Sequence, residues 1–221
     1  MEDGLNADIW TIVPVRGIAS GKSRLATVLA APARAALNRW LLRHTLAVIQ
    51  QWRGDLRRCV VISPCGEVLA SARRAGAHTV TEPHGAEDLN GALARGAAYA
   101  AAAGAARLMV LPCDLPEVTA RSLAEFAAAA NQPRQLALAM DTAGSGTNAL
   151  LVDADGELEF HFGEDSCARH REWAAARGWT SIVCRRTELA FDLDTPRDLA
   201  RWSGSDGAAE WSAALEDERE C

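Results

Sequence analysis

Apolar β-like runs alternate with helix-like runs along the whole chain, and no other feature narrows the fold as much. The β-like runs are WTIVPV, RCVVISP, HTVTE, RLMVLP, QLALAM, TNALLV and TSIVCR. Helical periodicity marks PARAALNRWLLRHTLAVIQQW, EVLASARRAG, LNGALARGAAYAAAAG, TARSLAEFAAAA, SCARHREWAAARG and TPRDLARW. A strand followed by a helix cannot pair with the next strand through a tight turn, so the connection crosses over and the sheet becomes parallel. The alternation therefore predicts a three-layer, mostly parallel α/β sheet with helices on both faces. The middle, from GSGTNALL to FHFGED, is richer in β-like character and reads as an insertion that extends the sheet. No repeat and no linker divides the chain, so residues 1–221 are expected to form a single domain. Residues 203–221, polar and acidic, are expected to form a frayed or weakly helical tail.

Charge and cysteine usage restrict the function. The formal net charge is −6, which argues against a general nucleic-acid surface. Hydrophobic residues make up 49% and charged residues 24%, as in soluble globular proteins. No run reaches the ~18 apolar residues of a membrane span. The acidic start MEDGLNADIW lacks the apolar core of a secretory signal. The six cysteines form no CxxC pair, so neither a zinc site nor a disulfide framework is expected, and a reducing cytoplasm fits best. The histidines His44, His78, His84, His161 and His170 show no HxxH or HExxH spacing.

Ligands of open parallel sheets bind beyond the carboxyl ends of the strands, which selects a few loops. After the first β-like run comes VRGIASGKS, leading into the helix-like SRLATVLAA. Gly17 and Gly21 enclose three residues, one fewer than a P-loop requires. Lys22 is the one lysine among 23 basic residues. A compact ammonium does what a planar guanidinium cannot in a crowded anion site; composition bias alone is the plainer reading. Asp114 follows the fourth β-like run in LPCDLP, as a divalent-metal ligand or as a turn residue before Pro116. Asp192 and Asp194 alternate in FDLDTP, so an extended backbone points both to one side. A cation between them would offset their repulsion; alternatively, Asp194 caps the helix TPRDLARW. GSGTN offers backbone N–H groups and the Thr147 hydroxyl to an anion, or is a plain hairpin turn. FGEDS offers close approach at Gly163 and a hydroxyl at Ser166 on a helix start, where anions are favoured. The competing reading there is an ordinary N-cap by Asp165 or Ser166. His170, one turn beyond Ser166, either orients that anion site or is a packed helix histidine.

Taken in order, PVRGIASGKSRL, DLNGAL, LPCDLP, GSGTN, FGEDSCARH and DLDTPRDL resemble one family, the guanylyltransferases of coenzyme F-420 biosynthesis. The resemblance runs from Pro14 to about Leu199. It implies a nucleotide-diphospho-sugar-transferase-like (Rossmann-like) fold and a reaction in which GTP activates 2-phospho-L-lactate, phosphoenolpyruvate or 3-phospho-D-glycerate with loss of pyrophosphate. It implies Mg²⁺ on Asp114, Asp192 and Asp194, the phospho-acid on Thr147, Gly163 and Ser166, and catalytic, triphosphate-binding charge at Lys22 and Arg16. The family usually has Lys where Arg16 stands, and often Ala at Gly21 and Cys113. Gly21 is expected to loosen the loop.

Guanine selection needs an acceptor, for which Glu82 and Asn90 are candidates; a turn charge and a helix cap are the plainer readings. The partners implied are GTP and a small phospho-acid, with no nucleic acid and no membrane; a homodimer is compatible with the sequence. The alternatives are a molybdopterin guanylyltransferase, whose GGxSxRMG loop is missing here, a P-loop kinase or switch GTPase, and a non-catalytic nucleotide-binding domain.

Overall fold

The computed structural model describes residues 8–19, 21–83, 88–155 and 158–220, with side chains up to residue 213. Ser20 of the glycine loop and His84 lie outside the described residues. Seven strands are formed: β1 (Ile9–Pro14), β2 (Cys59–Ser63), β3 (His78–Thr81), β4 (Arg107–Val110), β5 (Gln135–Met140), β6 (Thr147–Asp153) and β7 (Thr180–Cys184). The helices are α1 (Ala31–Arg53), α2 (Gly66–Ala75), α3 (Leu89–Ala102), α4 (Ala120–Ala129), α5 (Ser166–Ala176), α6 (Thr187–Ala190), α7 (Pro196–Trp202) and α8 (Asp206–Glu220). SRLATVLAA, expected as helix-like, gives only a 3-10 turn over Ser23–Thr27, and α1 begins after it with Pro32 in its first turn.

The strands form one sheet in the order β3-β2-β1-β4-β6-β5-β7. β1 pairs in parallel with β2 and β4, β2 with β3, and β5 with β7. β6 runs antiparallel to both its neighbours, β4 and β5. The β-rich middle thus contributes one strand, and that strand enters the interior of the sheet rather than extending its edge.

Side-chain alternation along the strands sorts the core into two layers. Ile9, Val13, Val61, Met109, Ala137 and Leu151 pack beneath α1, α2 and α4. Trp10, Ile12, Ile62, Val110, Leu138 and Leu150 pack on the other face, against α3 and α5. A third cluster joins Leu25 of the 3-10 turn, Leu37, Trp40 and Leu41 of α1, Phe191, Leu193, and Trp202 of α7. Ala208 and Trp211 of α8 are buried in this cluster. No helix among the described residues is long and apolar enough to cross a membrane.

α3 lies close to the sheet because of Gly96. A Cβ there would come within 2.2 Å of Ile62 Cδ1 and 3.0 Å of Ile12 Cγ2, whereas at Gly91 in the same helix it would meet only Asp88 Oδ2 at 3.5 Å. Gly96→Ala should therefore cost about 1–3 kcal/mol by overpacking. Gly91→Ala should be neutral or gain a few tenths of a kcal/mol from helix propensity, roughly. Urea denaturation midpoints of the two variants check this; equal midpoints would show that Ile62 yields without cost.

Candidate active site

Five segments meet at the edge where the parallel strands end. They surround a cavity of about 550 Å³ whose lining includes Arg16, Lys22, Asp114, Thr147, Gly163, Ser166, Asp192 and Asp194. Glu82 and Asn90 are outside this lining.

Lys22 is the centre of the charged half. Its backbone is left-handed, with φ 57°, a strained conformation for a residue with a Cβ. Its side chain is only 8% exposed, and Nζ donates to Asp194 Oδ1 at 2.7 Å and to Asp114 Oδ2 at 3.4 Å. Burial alone would lower the pKa of this ammonium, but Asp114 and Asp194 outweigh it and hold the pKa above the ordinary lysine range. Lys22 thus ties the loop after β1 to the loop after β4 and to the segment before α7. A backbone bond from Leu193 N–H to the Asp114 carbonyl, 3.0 Å, joins the last two directly.

Asp192 and Asp194 project beside each other because Phe191 and Leu193, which alternate with them, are buried. Asp194 does not cap α7. Thr195 does, in a capping box with Asp198, and this leaves the Asp194 carboxylate to Lys22. Asn148 of β6 donates to the Ala190 carbonyl at 3.0 Å and reaches Asp192 Oδ1 at 3.5 Å. Burial, then the charges of Asp114 and Asp194, push the Asp192 carboxyl pKa up.

The donor set suits a hard divalent cation. Three carboxylates share one cavity, and Asp192 carries negative charge that nothing beside it offsets fully. Among the described residues no three His, Cys, Asp or Glu side chains are grouped so that they could hold a metal ion by themselves. An Mg²⁺ here would need water and substrate phosphates to complete its ligands. Such an ion would compete with Lys22 for the oxygens of Asp114 and Asp194.

The other half of the cavity is neutral. Ser166 Oγ donates to Thr147 Oγ1 at 3.1 Å, and His170 Nδ1 lies 3.3 Å from the same oxygen. All three residues are buried. Asp165 holds the N-cap position of α5 in a left-handed conformation, without a side-chain capping bond. The Cys167 N–H in the first turn donates to the Ser145 carbonyl at 3.0 Å, so the helix start is met in part by the loop before β6. Gly163, at φ 125°, is in a region that favours glycine.

Several sequence expectations are corrected here. The N–H groups of GSGTN do not cradle a ligand: those of Gly144, Ser145 and Gly146 donate to Asp141 Oδ1 at 2.7, 3.0 and 2.9 Å. Gly146, Thr147 and Asn148 of that motif line the cavity, with the Asn148 amide turned to Ala190 and Asp192. Asn90 is not the helix cap. Its Nδ2 donates to the Phe162 carbonyl at 3.1 Å and its Oδ1 accepts the Phe162 N–H at 2.8 Å, so both ends of the amide hold the loop before α5. Asp88 caps α3 instead. Glu82 is buried at the end of β3, its N–H on the Ser63 carbonyl.

Gly21 does not loosen the loop. Its N–H closes on the Gly17 carbonyl at 3.2 Å. A Cβ there would come within 2.7 Å of Asn38 Nδ2, which donates to the Ile18 carbonyl. Asn38 and Asn148 were not singled out from sequence, because their partners Ile18 and Ala190 lie 20 and 42 residues away; Asp141 was missed although its partners are only 3 to 5 residues on. Burial and the adjacent Asp114 push the Cys113 thiol up to about 12, which favours its protonated form.

Comparison with known proteins decides the family. The family model described as "Guanylyl transferase CofC like" matches residues 9–206. The chain belongs to this family. It is 40% identical over 200 residues to a phosphoenolpyruvate guanylyltransferase of Rubrobacter xylanophilus, covering 90% of this chain and 95% of that one. It is 38% identical over 189 residues to a 3-phospho-D-glycerate guanylyltransferase of Phenylobacterium zucineum, covering 85% and 86%.

Among solved structures, a nucleotidyl transferase from Methanothermobacter thermautotroptrophicus superposes with a TM-score of 0.62 at 17% identity, over 87% of this chain and 94% of that one. A 4-diphosphocytidyl-2C-methyl-D-erythritol synthase from Anaerococcus prevotii gives 0.63 at 9% identity, over 90% and 96%. The fold is that of the nucleotide-diphospho-sugar transferases, and the chain is a CofC-like guanylyltransferase.

The Lys22 contacts make a stability prediction. Lys22→Met leaves Asp114 and Asp194 without their shared cation; since both are about a third exposed, the loss should be about 1–3 kcal/mol. Millimolar Mg²⁺ should restore more thermal stability to this variant than it adds to the wild type. An equal Mg²⁺ effect on both melting midpoints would show that the ion does not share the Lys22 carboxylates.

Proposed function

We propose that this CofC-like enzyme transfers GMP from GTP to a small phospho-acid with release of pyrophosphate, in the assembly of coenzyme F-420. The acid is phosphoenolpyruvate, 3-phospho-D-glycerate or 2-phospho-L-lactate. The first two are the substrates named for its relatives. The observation that carries the reading is the juxtaposition of two unlike half-sites in one cavity: Lys22 among Asp114, Asp192 and Asp194, and the neutral hydroxyl pair of Thr147 and Ser166. We further propose that the chain acts as one domain in the cytoplasm.

In this reading a phosphate oxygen of the acid attacks the α-phosphorus of GTP, that P–O bond forms, and the bond to the β-phosphate oxygen breaks. Both reactants are anions, so the barrier is largely the cost of bringing like charges together. Mg²⁺ held by Asp114, Asp192 and Asp194 would screen the phosphates and stabilise charge in the transition state. Lys22 offers a fixed positive charge from inside the cavity. Arg16 offers a second, exposed one with no ion pair among the described residues. Thr147, Ser166 and the uncapped start of α5 hold the acid, and Gly163 lets it approach the backbone.

The test combines Mg²⁺, GTP and each of the three phospho-acids and measures pyrophosphate. Asp114→Asn and Asp192→Asn should remove most turnover with the fold intact. Thr147→Val and Ser166→Ala should raise KM for the acid roughly ten- to a hundredfold, the loss expected for one hydrogen bond to a charged group, and leave KM for GTP nearly unchanged. Near-wild-type turnover in both Asn variants would overturn the metal assignment. Equal KM changes for GTP and acid would overturn the acid pocket.

A further inference from the structure

We propose that His170 is a positioning residue that turns the Thr147 hydroxyl into an obligate hydrogen-bond donor facing the cavity, and so selects an anionic oxygen of the acid substrate. This rests on the phospho-acid reading above. A hydroxyl can ordinarily donate or accept in many directions, and a site that needs a donor gains from losing that freedom.

The tautomer follows from the backbone. The His161 N–H donates to His170 Nε2 at 3.0 Å, so Nε2 carries no proton. A neutral ring then carries its proton on Nδ1, which faces Thr147 Oγ1 at 3.3 Å. Ser166 Oγ donates to the same oxygen at 3.1 Å. The Nδ1–H is shared between Thr147 Oγ1 and the Ser166 carbonyl, so Nδ1 cannot accept from Thr147, and with Ser166 donating, the Thr147 proton turns away from both neighbours. Thr147 and Ser166 both line the cavity, and the exit left to that proton is the ligand space.

The ring is also kept neutral and fixed. His170 is 0% exposed, with Phe162 edge-on at 5.0 Å and His161 edge-on at 5.8 Å between ring centres. Burial, then the neighbouring His161 and Arg169 charges, lower its pKa to about 4 against the opposing pull of the Ser166 carbonyl. An imidazolium would lose the His161 N–H bond, because Nε2 would then be a donor facing a donor. At neutral pH the ring holds one orientation and no net charge, and it acts on the substrate only through Thr147.

Two replacements separate the two ring nitrogens. The amide nitrogen of His170→Asn can occupy the Nδ1 position and keep a donor for Thr147. His170→Gln places its amide nearer Nε2, keeping an acceptor for His161 and losing the donor to Thr147. Phosphoenolpyruvate and 3-phospho-D-glycerate are titrated by calorimetry into each protein with Mg²⁺ and a non-reacting GTP analogue.

For the acid that binds, His170→Gln should weaken affinity about tenfold or more, and His170→Asn no more than about threefold. Analogue affinity should be unchanged in both. In a Thr147→Val background His170→Gln should add no further loss. Nitrogen NMR of the wild-type histidines should show one neutral ring protonated at Nδ1, assigned to His170 by its loss in His170→Asn. A ring protonated at Nε2, equal weakening by Asn and Gln, or equal weakening towards the analogue each overturn the proposal. Its failure is distinct from that of the functional reading, which fails on absent pyrophosphate release by the wild-type protein.

Discussion

The reversed strand β6 is the constraint on which the site depends. Every other strand is paired in parallel with at least one neighbour and ends at the cavity edge, whereas β6 starts there. Its amino end, Thr147 and Asn148, is therefore delivered to the same edge as the carboxyl ends of β1, β4 and β7. Pairing of β4 with β6 runs through Val110 and Leu150. Beyond that pair the two chains continue side by side, one to Asp114 and the other back to Thr147. A parallel strand in this place would have put Thr147 at the opposite end of the sheet. The hairpin that permits the reversal is held by Asp141, whose carboxylate accepts three successive loop N–H groups. Gly146 leaves no room for a side chain there, since a Cβ would be 2.6 Å from Asp141 Oδ2.

Charge is distributed unevenly around the cavity. Asp114, Asp192 and Asp194 are opposed around the cavity by Lys22, Arg16 and Arg24, in a chain that carries −6 as a whole. A triphosphate entering it meets carboxylates as well as cations, so where the positive charge is fixed matters. Lys22 fixes part of it and is constrained to do so: its backbone is left-handed, its stem is buried, and its Nζ lies between carboxylates from two different loops. An arginine head is planar and spreads its charge over three nitrogens, so it cannot place one donor atom between two oxygens in the same way. The single lysine of this arginine-rich chain stands where that difference is largest.

Much of this was legible in the sequence. Strand periodicity located the seven strands of the described residues, and the alternation of Asp192 and Asp194 in FDLDTP read correctly as two carboxylates on one side. Periodicity carries no direction, however, so nothing in TNALLV distinguished an antiparallel strand inside the sheet from one added at its edge. The 3-10 turn after Lys22 was missed because SRLATVLAA has helical composition, while Leu25 is pulled into the cluster with Phe191 and Trp202. The misread motifs have different causes. In GSGTN the partner is near: Asp141, 5 residues before Gly146, closes the plain turn that was one of the two readings of the motif. In DLNGAL the Asn90 amide is held by the Phe162 backbone, 72 residues away, and local spacing cannot reveal such a partner.

The two halves of the cavity discriminate by different physics. Around Lys22, attraction is between full charges that are partly exposed, so it reaches outward, tolerates some variation in geometry and weakens as salt rises. Around Thr147 there is no net charge: a neutral ring, two hydroxyls and an uncapped helix start, buried and fixed by Asn90 through Phe162 and by the His161 backbone. Such groups attract little at a distance. They reward only a ligand whose acceptor atoms fall where the donors already point, because a buried donor left unpaired is costly. On the proposed function, the charged half would gather the polyphosphate and the neutral half would tell one small acid from another. Changes of substrate preference among related chains are then expected in the shape of the neutral half, with the lysine and the three aspartates left as they are.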